Sequence, residues 1–295
     1  MLASRRTMLA ALAASALAGC TRPGMTGGDS SGSGASRAVA ATRTWAVASP
    51  SAPAAPAAAP EVTRAQIVAR YGQLKPSTWD FEPPGVVRFV PATGRKIALT
   101  FDACGGIGGS GYDQALIDFL RRREIHATLF LNSRWIDENP DAFRLLAAEP
   151  LFEIANHGTR HRPLSVSGRS AYGIAGTRNA GEVYDEVAGN HAKLTRLLGA
   201  PPRFFRSGTA YCDDIAERIV SDMGEHVVTF SVNGDGGATF TPEQVSSTVA
   251  AAPAGSLVIC HMNHPEGGTA QGIAAAVPSL QARGFHFVRL SDEIA

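Results

Sequence analysis

Between residues 96 and 288, short apolar runs alternate with segments of helical period, and few folds tolerate that pattern. The runs cover residues 96–101, 127–131, 151–155, 203–205, 227–230, 257–260 and 285–288. Helices are expected over 112–123, 140–148, 178–198, 213–223, 242–252 and 270–283. In the first of these helices Ala115, Leu116, Phe119 and Leu120 share a face. Gly199 and two prolines stop the longest one, and Thr241 is a candidate cap for the fifth. Strands and helices in strict alternation describe parallel βα units. Strands apolar at nearly every position belong to a sheet covered on both faces. An open doubly wound sheet and a barrel of seven or eight units satisfy the pattern equally. A further helix is expected over 61–71, and a Pro-rich extended stretch over 75–91; both read as a lead-in packed on the outside.

Polar residues gather just after these runs, which places them on one rim, where α/β folds carry their chemistry. Asn156-His157-Gly158-Thr159-Arg160-His161 follows the third run. Two histidines four apart can face the same way on one helical turn and reach one metal ion. Thr100-Phe101-Asp102-Ala103 ends the first run, and Arg206-Ser207-Gly208-Thr209-Ala210-Tyr211 follows the fourth. Asn233-Gly234-Asp235-Gly236 follows the fifth, and His261-Met262-Asn263-His264 the sixth. Two carboxylates, an arginine and three histidines on one rim make up the inventory of metal-assisted hydrolysis. His126, His191, His226 and His286 read as structural or solvated. Glu153 reads as a support for the histidine pair or as a structural residue. Arg121, Arg122 and Arg123 end a helix, where the macrodipole favours positive charge.

Over residues 90–290 these motifs resemble the polysaccharide deacetylases of carbohydrate esterase family 4, which share the NodB homology domain. The first family motif, Thr-Phe-Asp-Asp-Gly, is matched by Thr100-Phe101-Asp102 and then departs into Ala103-Cys104-Gly105. The second is matched by His157 and His161, the third by Arg206, the fourth by Asp235, and the fifth by Leu257-Val258-Ile259-Cys260-His261. The resemblance implies an irregular (β/α) barrel of about seven strands. It also implies a divalent ion, zinc by expectation, on His157 and His161, lowering the pKa of bound water towards about 7. Asp102 would take the proton, held by Arg206, and His261, oriented by Asp235, would donate to the leaving amine. The family's third metal ligand is its second motif-one aspartate, and Ala103 cannot coordinate. Three repairs are open: Asp102 moves onto the ion, a neighbour such as Cys104 or His264 supplies the ligand, or waters complete the two histidines. Asp102 is expected close to the ion in either role.

Residues 1–20 read as an export signal. Arg5 and Arg6 precede an apolar run from Met8 to Ala18, in the manner of a twin-arginine signal, and that run is too short for a permanent span. Leu17-Ala18-Gly19-Cys20 resembles a lipoprotein cleavage and acylation site, with Cys20 as the lipidated residue. Residues 21–60 are Gly, Ser, Ala and Pro with almost no large apolar side chain, and so read as a disordered tether. A coil of that length spans about 35 Å. Residues 61–295 form the catalytic domain. An exported location permits disulfides, yet Cys104, Cys212 and Cys260 are an odd number once Cys20 is set aside. The net charge of +1 argues against a nucleic-acid partner.

The expected function is a periplasmic or cell-envelope, lipid-anchored hydrolase of linear amides. It removes acetyl groups from N-acetylated polysaccharide or peptidoglycan and reaches the membrane through Cys20. An O-acetyl esterase is a near relative, and a non-catalytic glycan-binding envelope lipoprotein is the reading from another class.

Overall fold

A computed structural model describes residues 62–295 of the chain. The expected export signal (1–20) and tether (21–60) lie outside the described residues. Helix α1 (Arg64–Tyr71) starts at Thr63, which forms a capping box with Gln66, and buries Ile67 and Tyr71. Strand β1 (Lys96–Ala103) leads through a glycine-rich loop to α2 (Gln114–Arg122), and β2 (Ala127–Leu131) to α3 (Ser133–Glu138) and α4 (Pro140–Ala147). Then come β3 (Phe152–Asn156), α5 (Ala180–Leu198), β4 (Phe204–Phe205), α6 (Asp214–Asp222), β5 (His226–Val227) and β6 (Val232–Asn233). The chain closes with α7 (Pro242–Ala250), β7 (Leu257–His261), α8 (Thr269–Ala282) and β8 (His286–Phe287). No helix among the described residues is long and apolar enough to cross a membrane.

The sheet runs in the order β6-β7-β1-β2-β3-β4-β5, every pairing parallel, and β8 joins only the start of β1. Its outermost strands, β5 and β6, are consecutive in the chain. The five steps from Val227 to Val232 reach at most about 18 Å, whereas seven flat strands would hold the outer pair about 29 Å apart. The sheet therefore curls into an irregular barrel, which decides between the two architectures that periodicity leaves open.

Residues 87–90 complete the curl. The Val87 amide donates to the Val227 carbonyl (2.8 Å), the Thr229 amide to the Val87 carbonyl (2.9 Å), and the Val90 amide to the Gly255 carbonyl (3.0 Å). This part of the lead-in bridges β5 and the residues just before β7 instead of lying on the outside. Helix α1 does pack outside, with Ile67 and Tyr71 against Val183 and Val187 of α5 and Ile215 and Ile219 of α6.

Alternation along β1 sets the two sides of the wall. Ile97, Leu99, Phe101 and Ala103 join the large apolar cluster under α2, α7 and α8. Ala98 faces the barrel interior with Phe130, Phe204, Val228 and Leu257, and Thr100 and Asp102 point the same way. Several element limits differ from expectation. Asp113 caps α2 through the Leu116 amide, so the helix begins later; Ile117 is buried in place of Ala115, which is exposed. Asn132 caps the unforeseen helix α3. Strand β6 has only two residues, too few for a periodic signal. The strand expected last, now β8, is a partial partner of β1 and not a barrel stave.

Candidate active site

Arg206 crosses the barrel mouth from the end of β4, fully buried. It donates to Asp102 Oδ1 (2.6 Å), Thr100 Oγ1 (2.9 Å), and the carbonyls of Thr229 (2.9 Å) and Val228 (3.3 Å). Its guanidinium lies 4.1 Å from the centre of the Phe130 ring. All three nitrogens of the planar fork are thus engaged, which fixes Asp102 Oδ1 and leaves Oδ2 facing His157 Nε2 at 3.6 Å. A lysine offers no equivalent fork.

The two motif histidines sit on a loop, not on the helical turn their spacing suggests. Gly158 (φ +77°) and His161 (φ +62°) both adopt left-handed backbone, which folds the loop back on itself. The ring centroids lie 4.9 Å apart, nearly perpendicular. Asn132 Nδ2 donates to the carbonyls of His157 and Gly158, and Asn156 Oδ1 accepts from the Gly158 amide. Glu186 Oε1 accepts from the amides of Arg160 and Arg162. His157 Nδ1 lies 2.9 Å from the Arg206 carbonyl, which can only accept. Nδ1 therefore carries the proton and Nε2 faces the centre. Burial alone disfavours a charged His157, yet the Asp102 carboxylate and the Cys104 thiol outweigh it and raise its pKa.

On the other side His261 pairs with Asp102 in strand register. Its Nδ1 is 3.0 Å from Asp235 Oδ1, and its amide donates to Asp235 Oδ2 (2.6 Å). Thr269 Oγ1 donates to the same oxygen (3.0 Å). Burial opposes charge on His261, but the hydrogen bond and field of Asp235 win, holding its pKa well above the usual histidine value. In turn Asp235, although buried, is kept below the ordinary carboxylate range by His261.

The structure brings Asp102, His157, His161, Arg206, Asp235 and His261 to one rim. It also brings Cys104, whose Sγ lies 3.8 Å from His157 Nε2. One donor atom each from Cys104, His157 and His161 falls within 4.8 Å of the others. Tetrahedral zinc with typical Zn–S and Zn–N bonds separates its donors by about 3.4–3.6 Å, so the donor set suits such an ion with a shift of a few tenths of an ångström at the measured pair. His264, the other ligand option, is turned away onto Glu266 (3.1 Å). Glu153 does not support the histidines: it accepts from Thr128 Oγ1 and the Ser291 amide. Cys104, Cys212 and Cys260 are free thiols; burial raises the last two well above the usual thiol pKa.

Sequence motifs did not single out Glu186 or Asn132, and Gly208 lay inside the Arg206 cluster without a role of its own. A β-carbon on Gly208 would overlap the His161 backbone carbonyl, so only glycine lets the Arg206 loop approach the histidine loop. A cleft of about 370 Å³ opens beside Asp102 and His261, with Tyr172, Ile174 and Phe230 in its walls.

Fold and site together define an irregular (β/α) barrel with a polar centre of carboxylates, histidines, an arginine and a thiol at the carboxyl ends of its strands. Residues 90–228 match the polysaccharide deacetylase family model. The chain thus carries a polysaccharide deacetylase domain of carbohydrate esterase family 4. Among solved structures it is similar to a family 4 pseudoenzyme from Bacillus anthracis, at 17% identity and TM-score 0.61 over 72% of this chain and 70% of that one. It is also similar to the Bc1960 peptidoglycan N-acetylglucosamine deacetylase, at 20% identity and TM-score 0.61 over 71% and 92%. A family 4 acetyl xylan esterase from Clostridium thermocellum, determined with a cobalt ion, aligns at 20% identity and TM-score 0.55 over 67% and 89%. At these identities the likeness concerns the fold. No curated protein sequence matches the chain.

Proposed function

We propose that this protein is a metal-dependent deacetylase of N-acetylated cell-envelope or extracellular polysaccharide. The observation that carries this reading is the pair of acid–base arms on adjacent strands, Asp102 held by Arg206 and His261 held by Asp235. They flank the cluster of Cys104, His157 and His161. A divalent ion held by that cluster would supply Lewis acidity, acidifying water and polarising the acetyl carbonyl.

The protein's own groups supply the rest. Asp102 Oδ2, its partner oxygen pinned by Arg206, takes the proton from the water that adds to the acetyl carbon. His261, protonated and aimed by Asp235, donates through Nε2 to the amide nitrogen as the carbon–nitrogen bond breaks. Acetate and a free amino sugar leave. The walls beside the centre, Tyr172 and Phe230 among them, offer apolar faces of the kind that stack on sugar rings.

Acetate release from N-acetylated chitooligosaccharide or peptidoglycan, with and without added zinc, tests the reading. Because Ala103 stands where the family carries a coordinating aspartate, a second reading is a non-catalytic glycan binder. Tight glycan binding with no acetate released under any metal would establish that reading instead. Export and anchoring are proposed from sequence: the paired arginines Arg5 and Arg6, and Leu17-Ala18-Gly19-Cys20, support a lipidated Cys20 at the cell envelope. A wild-type chain that takes up no labelled lipid would remove the anchor.

A further inference from the structure

We infer that Cys104 is the third protein ligand of the metal, giving a centre of two imidazoles and one thiolate in place of two imidazoles and a carboxylate. This rests on the deacetylase reading and deepens it. The reason lies in the pleat of β1. Thr100 and Asp102 face the barrel interior, and Phe101 and Ala103 face the helices, where Ala103 is wholly buried in the outer apolar cluster. Cys104 follows directly after the strand, and its side chain turns to the inner side. There its Sγ meets His157 Nε2 at 3.8 Å and completes the three-donor set with His161. Asp102 is held differently: its Oδ1 is bound by Arg206 at 2.6 Å, which keeps it beside the cluster as a proton acceptor.

A thiolate carries the same single negative charge as a carboxylate, so the donor set keeps its net charge while its chemistry softens. Thiolate favours zinc and cobalt over magnesium, calcium and manganese. The inference therefore predicts a thiophilic centre, with zinc or cobalt bound tightly and magnesium or manganese only weakly. Gly105 supports the placement: a β-carbon there would collide with the Trp135 amide at 2.5 Å, so the glycine keeps the turn after Cys104 tight against α3.

Cobalt loading of the full-length wild-type protein tests this directly. A sulfur-to-cobalt charge-transfer band in the near ultraviolet is expected. It should vanish in Cys104→Ser and Cys104→Asp, with the aspartate variant still binding cobalt. Chelator competition should show zinc affinity falling at least 10–100-fold in Cys104→Ala, the range seen even when only an outer partner of a ligand is lost. Far-ultraviolet circular dichroism checks that each variant folds, and the wild-type spectrum needs no variant at all. Cobalt bound without the band, together with unchanged zinc affinity in Cys104→Ala and lost affinity in His157→Ala, would overturn the assignment and leave the deacetylase reading standing. A wild-type protein that binds neither ion and releases no acetate would remove the deacetylase reading itself.

Discussion

His261 and Asp235 act as one unit, in which Asp235 holds the ring by Nδ1 and the strand by its amide, so Nε2 can face the reacting nitrogen. Replacing His261 with Gln should lower kcat by roughly 10²–10⁴, the usual worth of a positioned acid. Bound zinc, measured by atomic absorption, should stay at the wild-type level because His261 is not among the clustered donors. Undiminished turnover would remove His261 as the acid. Gly208 makes a different kind of claim, about space. Gly208→Ala sets a methyl against the His161 carbonyl, and overpacking of that sort costs about 1–3 kcal/mol. A lower Tm together with weaker zinc retention is expected; a Tm loss with zinc retention intact would show that the two loops move independently. The motif residues themselves were legible because chemistry restricts them to His, Asp and Arg. Gly208 was not, since nothing in a lone glycine says which backbone comes near it.

At the scale of elements, β3 and α5 are joined at the site by a buried polar chain. Asn156 Nδ2 donates to Glu225 Oε1 (2.9 Å), Asn190 Nδ2 donates to Asn156 Oδ1 (2.9 Å), and His191 Nδ1 lies 2.7 Å from Glu225 Oε1. Glu225 Oε2 has no hydrogen-bond partner among the described residues, and burial raises the pKa of this carboxyl despite His191 and Asn156. Above the unfolded value of about 4.3, the unfolded chain has released a proton that the native state still holds. Stability then falls with rising pH. The contribution of Glu225 is complete below that value and is lost as pH climbs through its raised native pKa. Glu225→Gln keeps the shape and removes the titration, so thermal melts from pH 4.5 upward should show a shallower decline than wild type. Identical slopes would mean that Glu225 is not the group responsible. The cap at Thr241 was readable from the sequence, whereas the Thr63 cap and this network were not. Asn156 looked like one more polar loop residue, and only the fold brings Glu225, in the loop before β5, to His191 on α5.

For the whole molecule, strand–helix alternation announced a parallel sheet, but closure depends on a segment with no strand signal. Residues 87–90 bridge β5 and the residues just before β7 by backbone hydrogen bonds, which leave almost no trace in side-chain pattern, so the Pro-rich lead-in looked like external wrapping. If this segment holds the barrel shut, its backbone matters more than its exposed side chains. Val87→Pro removes the amide that the Val227 carbonyl accepts, and a stranded buried acceptor costs about 1–3 kcal/mol. Phe89→Ala, at a side chain 57% exposed, should change stability by no more than about 0.5 kcal/mol. Hydrogen exchange gives the sharper readout, because the segment reaches β5 at one end of the sheet order and Gly255, beside β7, next to the other end. Loosening residue 87 should speed exchange at Thr229, whose amide donates to Val87, and at Val90, whose amide donates to Gly255 beside β7. Amides of β2 at the centre of the sheet should keep their wild-type protection. Faster exchange at Thr229 alone would make the segment a local patch on β5; faster exchange on both sides would make it the closing stave. The second outcome is expected, since the short link from Val227 to Val232 cannot span an open sheet.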